Sequence, residues 1–222
     1  MRGRQLDKVF EDAANLRQRV ASPRVDRSEL VESLLASLEA RDFATCDHSR
    51  AVGGWAERIA VALQMPHTEQ RFVGLCGTLH DIGKLATPKS ILLKPGPLDD
   101  DEWDTMREHS AIGARILERL PSLRECAPIV RAHHERFDGA GYPDRLSADS
   151  IPLPARIVAV ADAFHAMISD RPYRAAVPAG RVLRILAEGK GIRWDAPAVD
   201  ALQTIMRPGA RRVLEKAVGF ED

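Results

Sequence analysis

Five histidines, His48, His80, His109, His133 and His134, and two aspartates, Asp81 and Asp162, carry the chemistry this sequence offers. Each histidine belongs to an apolar stripe with helical spacing. His48 precedes Val52, Trp55 and Ile59 by steps of four, three and four, and His80 follows Phe72, Cys76 and Leu79. His109 lies between Met106 and Ile112 on a stripe that also includes Trp103 and Ile116. His133 and His134 close a turn opened by Ile129 and Val130. A period of 3.6 residues turns all five imidazoles toward the core. A single such histidine is ordinarily a satisfied core residue. Five on separate stripes would each lose hydration unless they share a partner. Asp81, beside His80, and Asp162, inside the apolar run Arg156-Ile-Val-Ala-Val-Ala-Asp-Ala-Phe164, add carboxylates where a lone charge is prohibitive.

Neutral imidazoles combined with carboxylates suit divalent first-row metals. Seven donors exceed what one tetrahedral zinc takes; they suit two ions sharing a carboxylate and a water. Metals roughly 3.5–4 Å apart activate water and stabilise developing charge at phosphorus. The residues by themselves therefore point to metal-assisted phosphoester hydrolysis, without a substrate. The competing reading for Asp162 is an ion pair with Arg156 or Arg171. Cys46, two residues before His48, has no second cysteine at ligand spacing and is read as a bystander.

The elements that must position these groups are helices. Helical stripes cover 28–41, 48–64, 69–82, 100–120, 124–134, 154–169, 178–189 and 196–207, with no sustained period-2 alternation between them, so the fold class is all-α. Ser28-Glu29-Leu30-Val31 reads as an N-cap with an acidic first turn. Two Gly/Pro-rich stretches, Thr87 to Pro97 and Asp138 to Pro143, read as loops. Residues 1–27 carry Leu6, Val9, Phe10, Ala13, Leu16 and Val20 at helical spacing, ending near Pro23. This reads as an N-terminal helical extension to a single domain over 28–222. Two roles are open for it, packing on that domain or forming a homodimer.

A length of 222 residues gives one domain with a sizeable core. Lysines plus arginines equal aspartates plus glutamates, 32 against 32, and aromatics are 5%. Neither a global basic field nor base-stacking platforms argue for a nucleic acid polymer. No stretch approaches the roughly 20 apolar residues of a membrane span, and the N-terminus lacks the apolar core of a secretory signal. Three widely spaced cysteines suit a reducing compartment. The expectation is a cytoplasmic protein.

Several ordered segments then resemble the HD-GYP branch of the HD-domain phosphohydrolases, from about Leu30 to Trp194. They are Glu39 to Arg50 around His48; Leu79-His-Asp-Ile-Gly-Lys-Leu-Ala-Thr-Pro88; Ile91-Leu-Leu-Lys-Pro-Gly96; and Glu108-His-Ser-Ala-Ile-Gly113. They continue through His133-His-Glu-Arg-Phe-Asp-Gly-Ala-Gly-Tyr-Pro143, Ile151 to Ile157, Asp162-Ala-Phe164 and Arg171-Pro-Tyr-Arg174. The resemblance implies an HD-type helical bundle that hydrolyses cyclic di-GMP to pGpG, with GMP as a further product, by attack of a metal-bridging hydroxide on phosphorus. The alternative is a non-catalytic cyclic di-GMP sensor or docking protein that retains the fold.

By the same resemblance, the family's metal positions fall on His48, His80, Asp81, His109, His133, His134 and Asp162. One ion would take His48, His80, Asp81 and Asp162. The other would take Asp81, His109, His133 and His134, with iron or manganese as the metal. Asp81 and Lys84 are the implied catalytic residues. Lys84, Gly141, Tyr142, Pro143, Arg171 and Arg174 are the implied substrate contacts. Two readings are open for the arginines, phosphate binding or pairing with Asp170 or Asp138. Two are open for Tyr142, stacking on guanine or packing the loop. The Gly-Tyr-Pro loop is also a docking surface for diguanylate-cyclase (GGDEF) domains in the family. Ala44 stands where some relatives carry a glutamate that helps hold a third ion, so two metals are expected. Asp47 points to another face of the helix. His165 replaces an aspartate frequent in the family, and is read either as a partner of a ligand or as a polar residue near the rim.

Overall fold

The computed structural model describes residues 26–170 and 175–207. The extension expected over 1–27 falls almost wholly outside the described residues, as do Arg171 and Arg174. Among the described residues the regular elements are helices, without a strand; one isolated bridge joins Lys190 to Trp194. The α-helices are α1 (Arg27–Glu39), α2 (Phe43–Ala62), α3 (His67–Leu79), α4 (Lys89–Leu92), α5 (Asp100–Glu118), α6 (Ala127–Ala132), α7 (Leu153–Ile168), α8 (Ala179–Glu188) and α9 (Ala196–Ile205). Short 3-10 turns at Ile82–Ala86, Arg124–Cys126 and Ala148–Ser150 connect them. The all-α expectation is met.

Helix starts follow local chemistry. Asp42 caps α2, accepting from the Ala44 amide at 3.1 Å. A capping box closes the start of α5, where Asp99 accepts from the Glu102 amide at 2.9 Å and the Glu102 carboxylate takes the Asp99 amide at 3.0 Å. Asp195 caps α9 through the Ala198 amide at 2.9 Å. At α1 the cap position is Asp26 rather than Ser28. Ser28 lies one residue inside the helix and hydrogen-bonds the Asp26 carboxylate at 2.5 Å.

The core is built from α2, α3 and α7, with α1 and α9 closing one side and α5 with α6 the other. Leu30, Leu34, Leu35 and Leu38 of α1, Val52 and Ile59 of α2, and Phe164 of α7 are fully buried in it. Trp55 meets Phe164 edge-on with ring centroids 4.9 Å apart. Two glycines let α2 and α3 cross at backbone distance. A Cβ at Gly53 would stand 2.8 Å from the Gly74 carbonyl oxygen, and one at Gly77 would stand 3.0 Å from the Gly53 Cα. This crossing holds the His48-bearing helix against the helix that leads into His80.

Two stripes differ from their sequence reading. The 69–82 stripe ends as an α-helix at Leu79, so His80 caps α3 and Asp81 (φ −94°, ψ 5°) starts a 3-10 turn. Trp103, placed on the buried stripe of α5, is 47% exposed, because the packed part of α5 begins at Thr105. Cys46, Cys76 and Cys126 are free and buried.

Candidate metal centre

Five separate segments deliver the seven donors. His48 comes from α2, His80 and Asp81 from the end of α3, His109 from α5, His133 and His134 from the end of α6, and Asp162 from α7. The structure brings all seven together. Their ligand atoms form three groups, each within 4.8 Å: His48, His80 and Asp162; His80, Asp81 and His133; and His109, His133 and His134. The shared members His80 and His133 join the three into one continuous centre. His80, Asp81, His109 and His133 are buried, while His48 and Asp162 sit nearer its mouth.

Three of the histidines share one device. The Nδ1 of His80 donates to the Gly77 carbonyl at 2.7 Å, that of His109 to Met106 at 2.6 Å, and that of His133 to Val130 at 2.6 Å. A carbonyl oxygen only accepts, so Nδ1 carries a proton in each, and Nε2, which presents a lone pair whenever the ring is neutral, is the nitrogen that faces the centre. Each latch reaches three residues back along the ring's own segment, so it comes with the local chain path. At His80 the carbonyl it uses belongs to the last turn of α3, where backbone acceptors are left over.

Asp81 lies between the groups. Its Oδ2 is 3.2 Å from His80 Nε2, and its Oδ1 is 3.4 Å from His109 Nε2. Lys84 Nζ donates to Oδ2 at 2.6 Å. Burial pushes the Asp81 carboxyl up, but His80, Lys84 and His109 outweigh it and hold the group well below the usual carboxylate range. Asp162 behaves alike. Burial raises it, and the bond from His48 Nε2 to its Oδ1 at 2.9 Å, with His80, drives it far down. Both carboxylates are charged. Burial lowers His109 to about 4 and His134 to about 3, with neighbouring charges adjusting each. His133 falls by burial and by the adjacent His134. His80 also feels burial, but the neighbouring Asp81 carboxylate raises it on balance. Anionic carboxylates beside mostly neutral imidazoles, their lone pairs converging, fit a divalent cation.

The ion-pair alternative for Asp162 fails for Arg156, which instead binds Asp149 at 3.0 Å and Asp195 at 2.8 Å. Cys46 contacts Arg50 rather than the centre. Asp47 is exposed, as expected from its helix face. Ala44 is also exposed, and adds no donor.

The Asp138–Pro143 loop closes the side at His134. Gly139 adopts φ +81°, a left-handed turn. A Cβ on Gly141 would stand 2.3 Å from the Arg136 nitrogen, so only glycine lets the loop fold back on Glu135 and Arg136. The Tyr142–Pro143 peptide is cis. The Tyr142 ring stacks on His134, centroids 4.8 Å apart and 30° between planes. One face of the tyrosine thus packs the loop onto a donor, which favours the packing reading of this residue. Arg107 lies over the Tyr142 ring at 5.9 Å.

Asp138 pairs with Arg136 at 2.5 Å, and Asp170 accepts the Ala176 amide at 2.8 Å. Two residues were given no role from sequence. Glu135, within the His-His-Glu run, is buried and accepts the Asp144 amide at 2.7 Å, tethering the far end of the loop. Gly83 lies directly against α5; a Cβ there would be 1.8 Å from the His109 carbonyl oxygen. The signal for both lay inside the quoted motifs, but nothing in spacing distinguishes a tether from a ligand.

An all-helical domain whose donors converge in this way defines a His/Asp metal-centre protein, and the relatives agree. The chain belongs to the HD domain family, whose pattern it matches over residues 8–197. HD-domain phosphohydrolases are metal-dependent, and the His/Asp cluster could hold metal here. The chain is 38% identical over 204 residues to the cyclic di-GMP phosphodiesterase response regulator RpfG of Xanthomonas campestris, covering 89% of this chain and 54% of that protein. It is 41% identical over 175 residues to a cyclic di-GMP phosphodiesterase of Thermotoga maritima, covering 78% and 48%. The chain thus spans about half the length of these curated relatives. Among solved structures, V-cGAP3, a cyclic GMP-AMP phosphodiesterase of Vibrio cholerae, superposes with a TM-score of 0.53 at 30% identity, covering 86% of this chain and 46% of that one. Bd1817 of Bdellovibrio bacteriovorus, an HD-GYP-type protein, does so at 0.62 and 16% identity, covering 92% and 68%, a likeness of fold. These relatives bear out the HD-GYP resemblance. No described helix is long and apolar enough to cross a membrane.

Proposed function

We propose that this chain is a cytoplasmic, metal-dependent phosphodiesterase that opens cyclic di-GMP to pGpG, with GMP as a further product. The carrying observation is Asp81, whose two oxygens face His80 and His109 and so address both halves of one centre. Its catalytic domain is residues 28–222, with 1–27 as a helical extension. Two ions, iron or manganese, fit the donor set. His48, His80, Asp81 and Asp162 would hold one, and Asp81, His109, His133 and His134 the other. Such a pair lowers the pKa of water and stabilises charge at phosphorus. The remaining work falls to side chains. Lys84 supplies a cation beside Asp81 for a phosphate oxygen or the leaving group. Arg171 and Arg174 bind phosphates, where a planar guanidinium engages two oxygens at once. Gly141, Tyr142 and Pro143 shape the wall next to His134, and the outer face of that loop is the surface for a GGDEF partner.

A second dinucleotide is favoured by one observation. Two Vibrio cholerae 3'3'-cGAMP-specific phosphodiesterases are each 37% identical to this chain, close to the values for the cyclic di-GMP enzymes. The test is turnover of cyclic di-GMP and 3'3'-cGAMP, side by side, by anaerobically purified protein of measured metal content. Faster opening of cyclic di-GMP supports the reading. Preference for 3'3'-cGAMP would transfer it to the mixed dinucleotide, and no turnover with two ions bound would sink the enzymatic reading in favour of a sensor.

A further inference from the structure

His134 lacks the carbonyl latch that fixes His80, His109 and His133. Among the described residues its ring is bounded by other rings: His133 at 4.0 Å, Tyr142 at 4.8 Å and His109 at 5.0 Å between centroids. His109 and His133 are fixed by their own latches, so the wall that needs holding is Tyr142, and Tyr142 belongs to a loop. Two consecutive residues close that loop. The Tyr142 amide donates to the His134 carbonyl at 3.3 Å. Two residues on, the Asp144 amide donates to the buried Glu135 carboxylate at 2.7 Å, and the amides of Arg145 and Leu146 also face that group. Arg145 is left-handed at φ +57°, uncommon for a residue with a side chain. Successive amides turned inward at such a position form a nest for an anion, and Glu135 supplies the anion from the position next to His134. A second tie, from Arg131 to the Asp144 carboxylate at 2.6 Å, is open to water at both ends and therefore weak.

We infer that Glu135 is a positioning residue: its carboxylate, seated among the amides of residues 144–146, holds the loop so that Tyr142 keeps the His134 ring turned to the centre. The loop thus does for His134 what a backbone carbonyl does for the other three. The inference rests on the metal-centre reading of His134. It also accounts for a buried carboxylate that stands beside a donor yet belongs to none of the three donor groups. Outer partners of a ligand change metal affinity by roughly 10–100-fold when removed. Glu135 acts through Tyr142, so the lower end of that range applies. The effect is confined to the ion held by Asp81, His109, His133 and His134. His48, His80 and Asp162 lie on other elements, and the ion they hold with Asp81 keeps its affinity.

The experiment is manganese binding by the full chain, read as metal retained per protein against a graded chelator, for the wild type, Glu135→Leu and Glu135→Gln. Leucine fills the volume without accepting; glutamine accepts the same amides through a neutral carbonyl, more weakly. The expected result is two ions in the wild type. In the leucine variant one ion is released about tenfold more readily and the other at the wild-type point. In the glutamine variant the loss is smaller, with both ions near the wild-type level. Equal retention by wild type and Glu135→Leu would overturn the inference. So would release of both ions together, since a general loss of stability does not choose between them. Weakening by about tenfold or more in Glu135→Gln would also overturn it, because charge beside the donors and not a held loop would then be what matters. That arm stands even if the leucine variant does not fold. A wild type that binds fewer than two ions would instead refute the two-metal reading, and this inference with it.

Discussion

The α-carbon of Gly83 faces the carbonyl of His109 so closely that a Cβ on it would lie 1.8 Å from that oxygen. The turn after His80-Asp81 is therefore pressed onto α5, which is why Asp81 can reach His109. Gly83→Ala forces backbone away from backbone, with no flexible side chain to give way. Overpacking of this kind costs typically 1–3 kcal/mol and occasionally more, and here the upper end applies. The expected result is a lower melting temperature with loss of metal, measured together by thermal unfolding and metal content. A variant with wild-type melting and two ions would contradict this contact.

Asp81→Asn keeps the shape but removes the charge between His80 and His109. Loss of an outer partner costs 10–100-fold in metal affinity, so loss of the direct, shared donor should cost more than about 100-fold in affinity and activity. Chelator competition and turnover measure this. Retained activity would remove Asp81 from its proposed bridging place.

The pH dependence of the metal-free protein has a definite sign. His109, lowered to about 4, and His134, lowered to about 3, stay neutral when folded, whereas the unfolded chain titrates near 6.5. His133 is lowered as well. As pH falls below about 6.5 the unfolded state takes up protons that these residues refuse. Stability should drop by up to ~1.4 kcal/mol per pH unit for each. His80 is raised and works the opposite way, but its contribution is complete below about 6.5 and is lost only as pH rises through its raised value, so it does not flatten the fall below 6.5. Asp81 and Asp162 add their loss only when pH falls below their unfolded value of about 4. Unfolding of chelator-treated protein between pH 7.5 and 5 should show falling stability; a flat profile would mean the three histidines are not held neutral.

Tyr142 should separate loop packing from substrate stacking. Tyr142→Phe preserves the stack on His134 and should leave metal affinity unchanged. Tyr142→Ala removes that support and should weaken the ion at His134 by about tenfold. If the alanine variant instead raises KM while binding manganese normally, the ring serves the guanine base.

Arg174→Ala, by the proposed phosphate contact, should raise KM with kcat nearly unchanged. A hydrogen bond to a charged group contributes about 1.5–3 kcal/mol, or roughly a tenfold or larger rise. A fall in kcat at constant KM would move Arg174 from binding to the chemical step.

Much of this was legible in the sequence because burial leaves a periodic trace. His48 in α2 and Asp162 in α7 show their inward placement directly through neighbouring apolar residues. His80 was legible as inward but not as a helix cap. Leu79 and Ile82 continue the stripe past the point where the Gly77 carbonyl is taken by the His80 ring. The α4 turn at Lys89–Leu92 is too short to express a period. Trp103 misled because an apolar residue in register says nothing of whether a neighbour lies opposite it. The contact between His48 and His165 joins α2 to α7 across 117 positions, a pairing that local spacing does not encode.

Gly53 and Gly77 meet main chain to main chain, so no rotamer change can alter how far α2 stands from α3 at that point. The interval between His48 and His80 is inherited from the peptide backbone and is insulated from drift in the surrounding side chains. Residues of α1, α8 and α9 can then be exchanged for others of similar volume while that interval is preserved. A bulky residue at either glycine would reset the gauge of the whole centre.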